Sequence, residues 1–434
     1  MSPPVARRRP LSRLRDAVSV ALLATAAAAV LPAAAQDYPT DAPRAATPVG
    51  PKPPPLIAAP ASPEAPESSE LITPFQMLDR FVLPGSRQRL SWRPPDSIGR
   101  GELPSPITVV HGAKPGPVLC LIAGIHGDEL NGIEVARRIG EEVDATRLSG
   151  TLIVAPIVNV FGFTRNNRYL PDRRDLNRHF PGTRSGSIAS RLAHGFFNDV
   201  VRRCDALVDF HTGSFQRSNL PQIRADLTNP DVLEFTRGFG NTLVLHSPGA
   251  RGMLRLAAVG TGIPAVTFEV GAPHFLEEEH IAPAADAIRS LMHRMAMLES
   301  EAHAGDDAGD DAGTTPIYQE SSWVRTNASG FLFSAVRLGQ QVKPGQALGH
   351  VVDPVTSRRT EILAPFPGRV LGMSLNQQVL PGYAAFHIGK LSSEQQAVVA
   401  AAEALARRAS AGEDVGEDPS DRPDAEAGTE EERE

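Results

Sequence analysis

Cysteine is nearly absent: Cys120 and Cys204 are the only two in 434 residues. Two cysteines do not make a disulfide framework, and a chain of this length buries enough apolar surface to fold without such staples. Each lies beside an expected core strand. The expectation is two buried thiols, with pairing in an oxidising compartment as the alternative.

A basic face is also missing. The formal net charge is −7, and residues 411–434 form a dense Asp/Glu run with almost no apolar side chains. That excludes a nucleic-acid surface and marks the tail as an expected disordered segment. A calcium loop is absent too, because AGDDAGDDAGTT (304–315) has neither the ligand spacing nor the terminal Glu that such a loop needs. Those residues read as an acidic, Gly-rich linker between domains.

Long apolar runs are missing except near the N-terminus, where Arg7, Arg8, Arg9, Arg13 and Arg15 precede an apolar stretch from Ala17 to Pro32. Ala33-Ala34-Ala35 follows, so residues 1–35 read as a secretory signal peptide. An uncleaved anchor is the alternative, since the Ala-rich stretch is near the lower limit for spanning. No cysteine follows the stretch, which excludes a lipoprotein. Export to a bacterial periplasm is expected, with no stable membrane insertion after cleavage.

What is present falls into segments. Residues 36–70 are a Pro/Ala-rich tether that cannot bury a core. From 71 to 303, short apolar runs alternate with helical patterns, the mark of an α/β domain. The runs are VLCLIAGI (118–125), TLIVAPIV (151–158), ALVDF (206–210), TLVLH (242–246) and AVTFEV (265–270). Their near-continuous apolar character predicts a largely parallel or mixed sheet covered on both faces. Ile133, Ala136, Ile139 and Val143 recur at helical spacing, as do Ile188, Leu192, Ala193 and Phe196. A closing helix is expected near 282–300. Residues 316–390 are β-rich and resemble a small biotinyl/lipoyl-type β-sandwich, with VKPGQALG and PGRV as matching turns. Where a carrier domain would present its modified lysine the chain reads DPVTSRR, so a swinging-arm role is excluded. Residues 391–434 read as a short helix and the acidic tail.

Four of the five runs lead to a residue able to do chemistry: His126, Asn159, His211 and Glu269. Ligands of open α/β sheets gather outside the carboxyl ends of strands. His126 and Glu129 stand at i and i+3 on a turn into a helix, and His211 offers a third ligand from another strand. Two His and one Glu with an open fourth position suit a catalytic zinc ion, one per chain, whose bound water would have a pKa lowered towards neutrality. Each residue also has a plain reading. Acids at a helix start suit the dipole, and a strand histidine can simply be a satisfied core residue. His246 also ends a strand and is the rival third ligand.

GIHGDELNG (124–132), RYLPDRRDLNRHFPG (168–182), VDFHTGS (208–214) and TFEVG (267–271), in that order, resemble the succinylglutamate desuccinylase/aspartoacylase family of zinc carboxypeptidase-like enzymes. The resemblance covers about residues 76–300 and extends into the C-terminal β segment. It implies a zinc-carboxypeptidase-like mixed β-sheet flanked by helices, with a small C-terminal β-sandwich or barrel. It also implies His126, Glu129 and His211 as zinc ligands and Glu269 as general base. The position of Glu269 on an apolar strand agrees, since partial desolvation suits a carboxylate to taking a proton. Asn177 and Arg178 resemble the pair that grips a substrate carboxylate, where an Arg fork fits well. Arg168 resembles the arginine that polarises the scissile carbonyl. RYLPDRRDLNR holds two more residues between RY and DLNR than the family pattern, so Arg173 and Arg174 are alternatives for that role. Asn219 and Arg224 are expected on a loop over the same edge, as candidates for substrate selectivity. Asp128 and Asp175 are expected to support the ligands or face solvent.

The function expected is a zinc-dependent amidohydrolase acting on an N-acyl amino acid or a short peptide with a free carboxylate. Two alternatives stand beside it: a periplasmic carboxypeptidase on cell-wall peptides, and a non-catalytic zinc-binding adaptor. Residues 316–390 are expected to serve as a structural or substrate-gating module.

Overall fold

The computed structural model describes residues 72–94, 104–299 and 316–392. The leader, the Pro/Ala-rich tether, the acidic linker 304–315 and the tail beyond residue 392 lie outside the described residues. Among the described residues, no helix is long and apolar enough to cross a membrane.

Strands β1 (Phe75–Met77) and β2 (Arg80–Val82) pair as a hairpin. Next come β3 (Ser86–Trp92), β4 (Ser105–His111), β5 (Lys114–Ile122), helix α1 (Leu130–Glu142), β6 (Ser149–Ala155) and the short α2 (Val160–Thr164). Then follow α3 (Ile188–Asp199), β7 (Ala206–His211), β8 (Arg217–Ala225), α4 (Pro230–Thr236), β9 (Leu243–His246), α5 (Leu254–Val259), β10 (Ala265–Gly271) and α6 (Glu278–Arg294). The closing helix thus begins earlier than expected, with Glu278 and Glu279 in its first turn, where acids suit the helix dipole.

The result is a mixed α/β sheet. Strands β6, β5, β7 and β10 run parallel, and β8 lies antiparallel to β10. Alternate side chains of each central strand enter different cores. Leu119 and Leu121 of β5 pack beneath α1 and α6, with Val135, Ile139, Ile288 and Leu291. Cys120 and Ile122 face α3 and α5, with Phe196, Phe197 and Leu254. Burial on both faces explains the continuous apolar runs, and each fully buried large side chain contributes about 1.5–3 kcal/mol.

The cysteine expectation is overturned: Cys120 and Cys204 form a disulfide across a Cα–Cα distance of 5.7 Å. Cys120 is central in β5, and Cys204 immediately precedes the neighbouring parallel strand β7, which pairs Leu119 with Ala206. Both side chains point into the same core, within the separation that a disulfide spans. An 84-residue separation in sequence conceals that adjacency.

The C-terminal strands are β11 (Ile317–Arg325), β12 (Gly330–Ser334), β13 (Gln341–Val342), β14 (Ala347–Val352), β15 (Arg359–Leu363), β16 (Gly368–Ser374), β17 (Gln378–Val379) and β18 (Ala384–Ser392). β12, β14, β15 and β17 form one sheet, while β11, β13, β16 and β18 extend the main sheet beyond β9. Leu332, Leu348, Val351, Val370 and Ile388 fill the space between these layers. β16 also pairs with β8, opposing Gly372 to Asn219 and Ser374 to Arg217. The C-terminal strands therefore reach the strand that borders the candidate site.

Candidate metal centre

The parallel register delivers the chemistry to one edge. On β7 and β10, Asp209 pairs with Thr267 and His211 with Glu269. On β8, Arg224 opposes Thr267 and Gln222 opposes Glu269. Paired residues of adjacent strands project to the same face, so the six polar side chains share one side of the sheet. Asn219 and Arg224 lie within β8, which corrects the loop expected for them. The segment around them is polar because it lines a site, and that polarity made a strand look like a loop.

GIHGDELNG forms the turn from β5 to α1. Gly124 has φ +62°, a left-handed value that glycine adopts without strain. At Gly127 a Cβ would meet the backbone of Gly162 and Phe163 at 2.0–2.1 Å, so only glycine lets α2 pack there. Gly132 likewise allows α1 to sit on Phe210, whose Cβ would lie 2.4 Å from an added methyl. Glu129 is the N-cap of α1, yet its side chain makes no cap hydrogen bond. Its carboxylate turns inward instead, which disfavours the helix-dipole reading.

His126, Glu129 and His211 are buried, and their ligand atoms lie within 4.8 Å of one another. His126 Nδ1 is 2.8 Å from Glu129 Oε1, His211 Nδ1 is 2.9 Å from Glu129 Oε2, and the two Nδ1 atoms are 3.1 Å apart. The far ring nitrogens face other groups. His126 Nε2 is 2.9 Å from Asp175 Oδ1, and His211 Nε2 is 3.0 Å from Asp209 Oδ2. A carboxylate behind the outer nitrogen places the proton there and leaves the Nδ1 lone pair facing the centre. Arg168 Nη1, 3.1 Å from His126 Nδ1, supplies one donor to this group, and the His211 lone pair and the carboxylate still repel each other unless a cation or proton lies between them.

The charges point the same way. Glu129, Asp175 and Asp209 set three carboxylates against the one guanidinium of Arg168, leaving two negative charges around neutral imidazoles. Burial disfavours the His211 imidazolium, yet Asp209 and Glu129 raise its pKa well above the ordinary value. For His126, burial and Arg168 oppose protonation, but Glu129 and Asp175 overcome them and raise its pKa. Burial would raise Glu129, and the two histidines instead hold it well below the usual carboxylate range. The pocket therefore demands positive charge, and a divalent ion fits both the donors and the deficit.

Arg168 lies on this centre. Its Nη1 is 2.9 Å from Glu129 Oε1 and its Nη2 is 2.8 Å from Asp175 Oδ2, while its buried Nε has no hydrogen-bond partner. Arg173 and Arg174 are exposed, and Arg174 pairs with Asp172. Of the three arginines, only Arg168 is at the centre. Glu269 is buried, accepts a hydrogen bond from Asn219 Nδ2 at 3.1 Å and lies 3.5 Å from Arg224 Nε. A cation thus accompanies the burial expected for this carboxylate.

Asn177 is buried beside the centre with both amide atoms engaged. Its Oδ1 accepts from Leu254 N at 2.8 Å, and its Nδ2 is 3.2 Å from His211 Nε2. Arg178 is half-buried next to it, under a loop whose Gly252 has φ +92° and touches the Arg178 carbonyl so closely that a Cβ would lie 2.2 Å away. His246 stands apart, its Nδ1 accepting from Leu227 N. Asp128 is partly buried, 3.8 Å from His274, and burial raises its pKa.

One residue of the centre, Asp209 behind His211, escaped the sequence reading. Asp209 was legible in principle, since D-F-H puts acid and histidine at i and i+2 on one face of a strand.

Residues 115–295 match the model of the Succinylglutamate desuccinylase/Aspartoacylase catalytic domain. The N-alpha-acetyl-L-2,4-diaminobutyric acid deacetylase of Halomonas elongata is 26% identical over 274 residues, covering 60% of this chain and 78% of the relative. Among solved structures, a succinylglutamate desuccinylase/aspartoacylase from Rhodobacter sphaeroides superposes with TM-score 0.63 at 24% identity, covering 71% of this chain and 96% of its own. The product-bound ectoine utilization protein EutE (DoeB) from Ruegeria pomeroyi gives TM-score 0.63 at 23% identity, covering 73% and 98%. The resemblance carried by the ordered motifs is borne out: the family's catalytic-domain model matches residues 115–295.

Proposed function

We propose that this succinylglutamate desuccinylase/aspartoacylase family protein is a zinc-dependent deacylase that hydrolyses the amide bond of a small N-acyl amino acid. The observation that carries the reading is the convergence of two imidazole lone pairs and one carboxylate, each imidazole backed by an aspartate. His126, Glu129 and His211 would hold the ion. When bound, zinc supplies Lewis acidity for the scissile carbonyl and lowers the pKa of water at the site.

The chain's own groups do the rest. Glu269 takes a proton from the attacking water and delivers it to the leaving amine. Arg168 offers its Nε–H to the oxygen on which negative charge develops. Arg178 donates to the substrate carboxylate through its planar fork, with Asn177 beside it in the same grip. Asn219 and Arg224 hold the Glu269 carboxylate, so selectivity is a secondary role for them. The carboxypeptidase-like arrangement of the sheet belongs to this reading. So does an N-acetyl amino acid of the diaminobutyrate kind as substrate, by likeness to the Halomonas relative.

Export to a periplasm is part of the proposal, supported by the basic-apolar leader and by a disulfide that suits an oxidising compartment. Export also keeps a second substrate class in play, peptides of the cell wall. Metal analysis joined to a hydrolysis screen of N-acyl amino acids and cell-wall peptides separates the two. In the same assay, Glu269→Gln should abolish turnover, by at least about a hundredfold, while zinc stays bound. Retained turnover removes Glu269 as the base. A zinc-loaded protein that hydrolyses nothing in the screen favours the adaptor reading.

A further inference from the structure

We infer that Phe215 determines which acyl groups reach the centre, and that Tyr383 and Gln377, in the turns immediately before β18 and β17, position it; this rests on the deacylase reading above. The turn after His211 contains two consecutive left-handed residues, Phe215 with φ +52° and Gln216 with φ +58°. Neither is glycine, and a side chain in this region crowds its own backbone. Such a turn persists only where its surroundings over-determine it.

Those surroundings come from both sides. Upstream, Thr212 N donates to Glu129 Oε2 at 3.1 Å and Gly213 N donates to Gly271 O at 2.9 Å. Downstream, the Tyr383 hydroxyl donates to Phe215 O at 2.8 Å. Gln377 Nε2 and Leu375 N donate to Gln216 O at 3.0 and 2.9 Å. Gln377 Nε2 also reaches the Tyr383 hydroxyl at 3.1 Å, so the two clamping side chains hold each other. Arg217 completes the clamp: its Nε donates to Ala384 O at 2.9 Å and its guanidinium lies 4.6 Å from the Tyr383 ring centroid. Because β16 pairs with β8 at Arg217, the clamp and the centre belong to one sheet.

The turn presents the half-buried Phe215 ring 5.7 Å from the Arg168 guanidinium carbon. Arg168 is the group that receives the scissile oxygen in the reading above, so a ring beside it borders the acyl moiety. An aromatic face attracts the guanidinium but offers a charged acyl end no hydrogen bond. A succinyl carboxylate there would be desolvated without a partner, and a long chain would meet the ring. Short, uncharged acyl groups of the acetyl class fit.

The test uses purified zinc-loaded protein and a series of L-2,4-diaminobutyrate derivatives carrying N-acetyl, N-butyryl, N-hexanoyl and N-succinyl groups. Phe215→Ala should raise the hexanoyl-to-acetyl ratio of kcat/KM by about tenfold or more, the discrimination that a few methylenes in an apolar pocket provide. Tyr383→Phe keeps the ring over Arg217 and removes only the hydroxyl. It should shift the ratio in the same direction by less, and speed amide exchange of residues 212–216 while β5 and β10 exchange as before. An unchanged ratio in Phe215→Ala, with zinc content and Tm preserved, overturns the specificity role. Unchanged exchange in both Tyr383→Phe and Gln377→Ala overturns the clamp. If the zinc-loaded wild type hydrolyses none of the series, the deacylase reading fails and the Phe215 role falls with it, whereas the exchange result still decides the clamp.

Discussion

Among the described residues, two clusters bring histidine and carboxylate ligand atoms within 4.8 Å: His126, Glu129 and His211 at the strand ends, and Glu277, Glu279 and His280 at the start of α6. By composition they are alike. They differ in burial and in what stands behind each ligand. The first is buried, and aspartates occupy the outer nitrogens of both histidines. The second is half-buried to exposed, and Glu277 Oε2 already accepts from Ala272 N at 2.6 Å and Asn131 Nδ2 at 3.0 Å. Asn131 Oδ1 in turn accepts from Glu277 N at 2.9 Å. That carboxylate ties the 271–277 loop to the start of α1. The candidate metal site is therefore distinguished by its burial and by the carboxylates behind both histidines, since Glu129, like Glu277, already accepts from two donors, Arg168 Nη1 and Thr212 N.

The largest expected effect breaks the first cluster. His211→Ala should reduce bound zinc from about one ion per chain to a small fraction and abolish hydrolysis, since two ligands no longer make a closed donor set. His280→Ala, the matching change in the second cluster, should leave zinc content and turnover unaltered. Metal analysis after dialysis against a weak chelator reads both. Equal zinc loss in the two variants would erase the distinction.

A smaller effect tests the backing. Asp209→Asn keeps an oxygen beside His211 Nε2 and removes the charge, so zinc affinity should fall by about 10–100-fold. Chelator competition measures it, and an unchanged affinity would mean that the aspartate merely fills space.

The sequence made some of this legible and hid the rest for physical reasons. Strands covered on both faces must be apolar throughout, so β5, β6, β7 and β10 announce themselves. The residue that ends such a run is then conspicuous, which is how His126, His211 and Glu269 were found. β8 was missed as a strand because Arg217, Asn219, Gln222 and Arg224 are polar for the sake of the site, and a polar strand has the composition of a loop. The Cys120–Cys204 disulfide and the Gly372–Asn219 pairing depend on which strands become neighbours, and nothing local in the chain states that. Asn177 and Arg178 are read as substrate ligands because DLNR is read as one motif. The structure adds that Asn177 is buried within 3.2 Å of His211 Nε2, whereas Arg178 beside it is half-buried.

The smallest expected effect sharpens the comparison from the other cluster. Glu277→Ala strips the acceptor from Ala272 N and Asn131 Nδ2, and an unmatched buried donor costs about 1–3 kcal/mol. For a domain of this size that lowers Tm by roughly 2–12 °C, which a thermal melt of the zinc-free protein reads without interference from metal binding. Zinc content should stay unchanged, because Asn131 belongs to α1 but Glu129 is held from the other side by Arg168, Thr212 N and the two histidines. Loss of zinc together with stability would mean that the lock at α6 sets the reach of Glu129, and the two clusters would then have to be treated as one unit.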